Sequence, residues 1–105
     1  MNIGIYFTKS VFDSLLIFMR SKTHCSIDAA IDQLEHLFDL NQLNTQYHFE
    51  SLVACFADIL GEFDVNYHTE QICRRICVAL QFYLKDEQNL MYVKEMLGAS
   101  LSKFA

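Results

Sequence analysis

The apolar residues of this chain recur at every third or fourth position over long stretches, which is the spacing of one buried helix face. The stretches that show this spacing are 8–19, 26–39, 46–60, 68–84 and 87–103. Proline is absent and there are only three glycines, so little in the chain would interrupt a helix. A β-sandwich, which needs many turn residues, is disfavoured by the same shortage. The sequence therefore predicts an all-α fold, a compact bundle of four to five amphipathic helices in a single domain over residues 1–105.

The segment before the first helix has a different pattern. Ile3, Ile5 and Phe7 alternate with other residues as they would in a strand. Nothing else in the chain offers a strand to pair with it. The segment is therefore either a short extended N-terminal arm or an early helical turn.

Residues suited to helix ends lie near the predicted boundaries. Ser26 and Asn66 are expected to cap the N-termini of the second and fourth helices, and Gly61 the C-terminus of the third.

The helical spacing also predicts which side chains are buried. We expect Leu34, Phe56, Ile76 and Leu97 to be almost fully buried, one on each of the last four helices.

Two features indicate the compartment. No run of 18 apolar residues is present, and the apolar N-terminus lacks the basic residues and cleavage site of a signal peptide. We therefore expect a cytoplasmic protein without a membrane span. The four cysteines then lie in a reducing environment. Because Cys55, Cys73 and Cys77 fall at core spacing within helices, free thiols are expected rather than disulfides.

Two His-x-Glu pairs are the first candidates for chemistry. They are formed by His48 with Glu50 and by His68 with Glu70, and His24, Cys25 and Cys73 are further possible donors to a metal. On a helix, residues two apart point about 200° apart, so neither pair would chelate an ion. The chain has no Cys-x2-Cys, no His-Glu-x-x-His, no glycine-rich phosphate loop and no Gly-x-Ser-x-Gly. We expect no metal, no cofactor and no enzymatic activity.

The distribution of charge is the strongest functional signal. Between Thr23 and Cys73 there are nine acidic residues and no Lys or Arg, so that stretch has a formal charge of −9. The net charge of the chain is −5, so the remaining residues together carry +4. On the second helix the acids recur at i, i+4, i+7 and i+11, which places them on one face opposite the apolar residues. These four residues, named here the acidic row, are Asp28, Asp32, Glu35 and Asp39. The row is either a solvated face or a docking face for a basic partner.

The charge balance constrains the partner. Direct binding of nucleic acid or of an anionic membrane needs a basic surface, which this chain lacks apart from Arg74, Arg75 and the C-terminal lysines. A basic protein, such as a nuclease with a Lys- and Arg-lined groove, fits better. In size, acidity and helical make-up the chain resembles the small bacterial immunity proteins that cover a toxin's basic active site. The resemblance is one of bulk character and implies no individual residue.

The alternative function is of another class, a dimeric helical secretion chaperone or regulatory adaptor with an apolar contact. It depends on a narrow apolar stripe on the last helix, formed by Leu90, Val93, Leu97, Leu101 and Phe104. The stripe either contacts a partner or a second copy of the chain, or packs on the chain's own core.

Overall fold

A computed structural model describes the backbone of residues 3–21 and 24–105 and the side chains of residues 9–21 and 26–105. The described chain is a compact all-α bundle, as the sequence predicts. Its helices are α1 (Ile3–Met19), α2 (His24–Asp39), α3 (Gln46–Glu62), α4 (Tyr67–Leu80) and α5 (Glu87–Ser102), and a short 3-10 helix (Gln81–Tyr83) follows α4.

The N-terminal segment is helical, so the extended arm is wrong and the early helical turn is right. The first helix begins at Ile3 and continues without a break to Met19. No strand occurs in the described chain, so an extended segment there would have no ladder to satisfy its N–H and C=O groups. A helix satisfies those groups internally, which is the physical reason for the difference.

Side chains cap the start of the later helices. Thr45 and Asn66 precede α3 and α4 and form capping boxes. The Thr45 hydroxyl accepts a hydrogen bond from the backbone N–H of His48, and the side-chain oxygen Oδ1 of Asn66 accepts one from the backbone N–H of Thr69. The expected cap at Asn66 is confirmed. Ser26 is not a cap, because α2 begins two residues earlier and takes Ser26 into its first turn.

The core lies between the helices. Leu34, Phe56, Ile76 and Leu97 are each no more than 1% exposed, as the helical spacing predicts. Large apolar side chains surround them. The largest that are fully buried are Phe12, Phe49, Met19, Ile27, Ile31, Leu43, Leu52, Ile59, Leu60 and Ile72.

Helices α1 and α3 are neighbours and run in the same direction. Tyr47, at the start of α3, donates from its hydroxyl to Oδ1 of Asp13, past the middle of α1, at 2.6 Å. Near their ends Arg20 Nε lies 3.3 Å from Asp58 Oδ2. Residues that are later in α1 therefore contact residues that are later in α3.

Helices α3 and α5 repeat this relation. Gln46 Nε2 donates to Asn89 Oδ1 at 3.3 Å at one end, and Lys103 Nζ donates to the carbonyl oxygens of Leu60 and Phe63 at 2.8 Å at the other. Lys103 thus donates to two carbonyl groups at the C-terminal end of α3, where the Leu60 oxygen also accepts from the backbone N–H of Phe63. The expected cap at Gly61 is wrong: α3 continues to Glu62 with Phe63 as its C-cap, and no described glycine has the positive φ that favours glycine at a helix end.

Helices α2 and α4 are also parallel neighbours. Asp28 contacts His68 near their starts, and the rings of Phe38 and Phe82 lie 5.5 Å apart near their ends. The helices therefore form two layers, with α1, α3 and α5 side by side in one and α2 and α4 in the other. Stacked helical hairpins have this arrangement, in which each helix packs beside the helix two places earlier in the chain.

Candidate functional site

The acidic row lies on the outer side of α2, and the structure shows an internal partner for most of it. Arg75, on α4, reaches across the gap between the two helices. Its Nη1 donates to Asp28 Oδ1 at 3.3 Å, and its Nη2 donates to Glu35 Oε1 at 2.8 Å and to Asp32 Oδ1. The row is therefore partly an intramolecular ion-pair network rather than a purely solvated face.

Sequence reasoning missed this contact because the partners are far apart in the chain. Arg75 is 40 to 47 residues away from the three carboxylates. The parallel packing of α2 and α4 is what brings them together. A signal was available in the sequence: Arg74 and Arg75 are the first cations after the long stretch without Lys or Arg.

The network still leaves an excess of negative charge. Arg75 offers one positive charge to a row of four carboxylates. The pKa of Arg75 is raised above its usual value: burial lowers it, but the hydrogen bonds to Glu35 and Asp32 raise it by more. The side chains of Asp32 and Glu35 are 66% and 54% exposed. Among the described residues Asp39 has no side-chain ion pair. The acidic row therefore presents accessible carboxylates whose positions are partly fixed by Arg75.

A groove runs beside the acidic row between α2 and α4. Its volume is about 420 Å³. Phe38, Val78 and Phe82 supply apolar lining, Glu35 and Asp39 line the α2 side, and Arg74 and Arg75 line the α4 side. Such a groove can hold apolar side chains of a partner while carboxylates at its edge contact basic ones.

The His-x-Glu pairs do not form a site together. His48 is buried beside Phe12, with ring centroids 4.8 Å apart, and its Nδ1 lies 2.8 Å from the Thr45 hydroxyl. His68 lies on α4 with its Nε2 3.3 Å from Asp28 Oδ2. No group of three His, Cys, Asp or Glu side chains that could hold a metal occurs among the residues whose side chains are described. The side chains of His24 and Cys25 lie outside those residues.

His48 has a structural role at the start of α3. Its Nδ1 accepts a hydrogen bond from the backbone N–H of Thr45 at 3.4 Å, which completes the capping box. Burial lowers the pKa of His48 from its usual 6.5, and the negative charge of Asp13 opposes this shift only in part. A neutral imidazole is the form that can accept this hydrogen bond.

The three described cysteines are free thiols, and they differ in exposure. Cys55 is buried in the core, and burial raises its pKa to about 11. Burial, together with the neighbouring Cys77, raises the pKa of Cys73 to about 11. Cys77 is only half-buried and lies at the edge of the core, so the expectation of a core position holds for Cys55 and Cys73 and only in part for Cys77.

The apolar stripe of α5 divides along its length. Val93 and Leu97 are buried in the chain's own core. Leu101 and Phe104 are partly buried against that core and also line a second groove, between α4 and the end of α5. The middle of the stripe is therefore inside the fold, while its C-terminal part borders open space.

None of the described helices combines the length and the apolar character that crossing a bilayer requires. The sequence matches no protein-family model and no curated protein, and no solved structure matches the chain.

Proposed function

We propose that this chain is a non-catalytic protein-interaction domain that docks through the acidic row of α2 onto a basic surface of another protein. The observation that carries the proposal is the position of Arg75, which holds Asp28, Asp32 and Glu35 together while leaving them partly exposed. Side chains that are ordered before binding lose less conformational entropy when the partner docks. A fixed cluster of carboxylates therefore suits recognition of clustered Lys and Arg.

The most concrete version of this function is an immunity protein that covers the basic groove of a nuclease toxin. A nuclease needs positive charge to hold the phosphates of its substrate, and a protein that fills the groove with carboxylates competes for the same contacts. The negative net charge of the chain favours rapid association with such a partner through long-range attraction.

Asp39 is the best position at which to test the acidic row. Charge reversal at Asp32 or Glu35 would place a new cation beside Arg75 and would disturb folding as well as binding. Asp39 has no described ion pair, so Asp39→Lys changes the docking face without removing an internal contact. The matched control is Glu95→Lys, which makes the same charge change at an exposed position of α5.

The experiment is capture of partners from the source organism, followed by measurement of affinity for each captured protein. We expect a basic protein whose affinity falls by about tenfold or more with Asp39→Lys and stays nearly constant with Glu95→Lys. We also expect the parent complex to weaken as salt is raised above about 0.15 M, because screening acts on exposed charges. A partner that binds the Asp39→Lys variant as tightly as the parent would contradict docking through the acidic row.

A further inference from the structure

In the two-layer packing each helix lies beside the helix two places earlier in the chain. This rule defines where one further helix would pack against the bundle. Helix α4 packs beside α2 and against α3, and it runs parallel to α2. The equivalent position one step further along lies beside α4 and against α5. The second groove lies there, with a volume of about 470 Å³.

The groove between α4 and α5 has the lining of a helix-binding surface. Cys73, Cys77, Leu101 and Phe104 supply an apolar lining, and Val78, which is 67% exposed, stands at its rim. Grooves of this kind accept the apolar face of an amphipathic helix, whose anchoring side chains recur at every third or fourth position.

Charges on the α4 side of the groove specify what the helix would carry. Glu70 lies in the first turn of α4 and Arg74 one turn later, and both line the groove. Neither has a side-chain ion pair with another described residue. On the other side of α4, Arg75 pairs with acids of the parallel helix α2. A helix that packs beside α4 over this groove would, by the same complementarity, carry a basic residue opposite Glu70 and an acidic residue opposite Arg74.

We propose that the groove between α4 and α5 binds an amphipathic helix of a partner protein. The helix runs parallel to α4, places its apolar face on Cys77, Leu101 and Phe104, and carries a basic residue that faces Glu70 followed one turn later by an acidic residue that faces Arg74. This surface extends to the side of α4 away from α2 and shares only Arg74 and Val78 with the groove beside the acidic row. None of the four acids of the row lines it, so the proposal does not depend on the function proposed for that row.

Two synthetic helical peptides of about four turns serve as probes. Both carry leucine at the spacing of one helix face. In the first peptide a lysine precedes a glutamate by one turn, and in the second the two residues are exchanged. We expect the first peptide to bind the parent protein about tenfold more tightly than the second, by fluorescence anisotropy.

The reactivity of Cys77 locates the bound peptide. Cys77 is half-buried and lines the groove, so the first peptide should slow its alkylation, measured by mass spectrometry of the labelled fragment. The variant Glu70→Lys with Arg74→Glu should reverse the preference and bind the second peptide more tightly. This reversal separates recognition of the charges from a general loss of folding.

Two further variants test the apolar rim. Val78→Asp should weaken binding of the first peptide by about tenfold, because it places a carboxylate against an apolar face. Met91→Asp is the matched control: Met91 is 69% exposed and lies on α5 outside the groove, so its replacement should leave binding unchanged.

Three outcomes of the peptide experiments would overturn the proposal. They are equal binding of the two peptides, tighter binding of the second peptide to the parent, and peptide binding that leaves alkylation of Cys77 unchanged. If the protein alone forms dimers at about micromolar concentration and the dimer protects Cys77, the groove is occupied by a second copy rather than by a partner's helix, which also contradicts the proposal.

Discussion

Arg75 Nη2 donates a hydrogen bond to Glu35 Oε1 at 2.8 Å and thereby joins α4 to α2. The same guanidinium contacts Asp28 and Asp32. One side chain therefore sets the arrangement of three carboxylates on a surface that would otherwise be governed by their mutual repulsion. The acidic row is both a structural contact between helices and the candidate docking face.

The first prediction concerns this contact. The substitution Arg75→Gln should lower the free energy of unfolding by about 1–2 kcal/mol. It removes the guanidinium that pairs with three carboxylates, which then repel one another. Chemical denaturation at low and high salt measures the effect, which should shrink as salt screens the repulsion. The neighbouring Arg74→Gln is the control and should change stability by less than about 0.5 kcal/mol. Equal effects of the two variants would mean that the network contributes nothing to folding.

The second prediction is a pH dependence caused by His48. Burial lowers its pKa in the folded state, so below the usual value of 6.5 the unfolded chain binds a proton more readily than the folded chain. The His48 contribution to stability is therefore fully present above that pH and is lost as the pH falls, so stability should decrease as the pH falls below about 6.5. Thermal unfolding at pH values above and below 6.5 measures this decrease.

A conservative variant isolates the contribution of His48. Glutamine can accept the same hydrogen bond in a capping box but does not titrate, so His48→Gln should remove part of the decrease in stability. The control His36→Gln changes an exposed residue of α2 and should leave the decrease as it is. An unchanged pH dependence in His48→Gln would show that another group is responsible.

The third prediction concerns the core. Leu97 is fully buried, so Leu97→Ala should lower the free energy of unfolding by about 2–5 kcal/mol through lost apolar contacts and the cavity left behind. Its chain neighbour Met96 is 45% exposed, and Met96→Ala should cost less than about 1 kcal/mol. Urea denaturation of both variants provides the comparison. Similar losses would mean that the buried face of α5 is assigned incorrectly.

The fourth prediction concerns the order in which thiols react. Burial raises the pKa of Cys55 and Cys73 to about 11 and also limits access to reagents, so alkylation of both should be slow in the native protein and fast after unfolding. The half-buried Cys77 should react first of these three. Timed alkylation with mass spectrometry of each fragment measures the order. Rapid labelling of Cys55 under native conditions would contradict its place in the core.

The sequence alone determined where the five long helices lie, apart from the first residues of α1 and the 3-10 helix after α4, and which of their faces are buried. Helical spacing identifies Leu34, Phe56 and Leu97 as core residues, because an amphipathic helix must place its apolar side against other helices. A local signal of the same kind locates the cap at Asn66, since capping depends on residues only three apart. These features follow from short-range chemistry and can therefore be predicted from the chain itself.

Only the tertiary structure decided which distant side chains meet. Lys103 donates to carbonyl oxygens at the end of α3, and Arg75 neutralises part of the acidic row of α2. Both contacts join residues at least 40 positions apart. Helical periodicity fixes the direction of a side chain around its own helix but carries no information about which helix lies opposite. The parallel packing of every second helix supplies that information, and it places the acidic row and the groove between α4 and α5 on two different sides of α4.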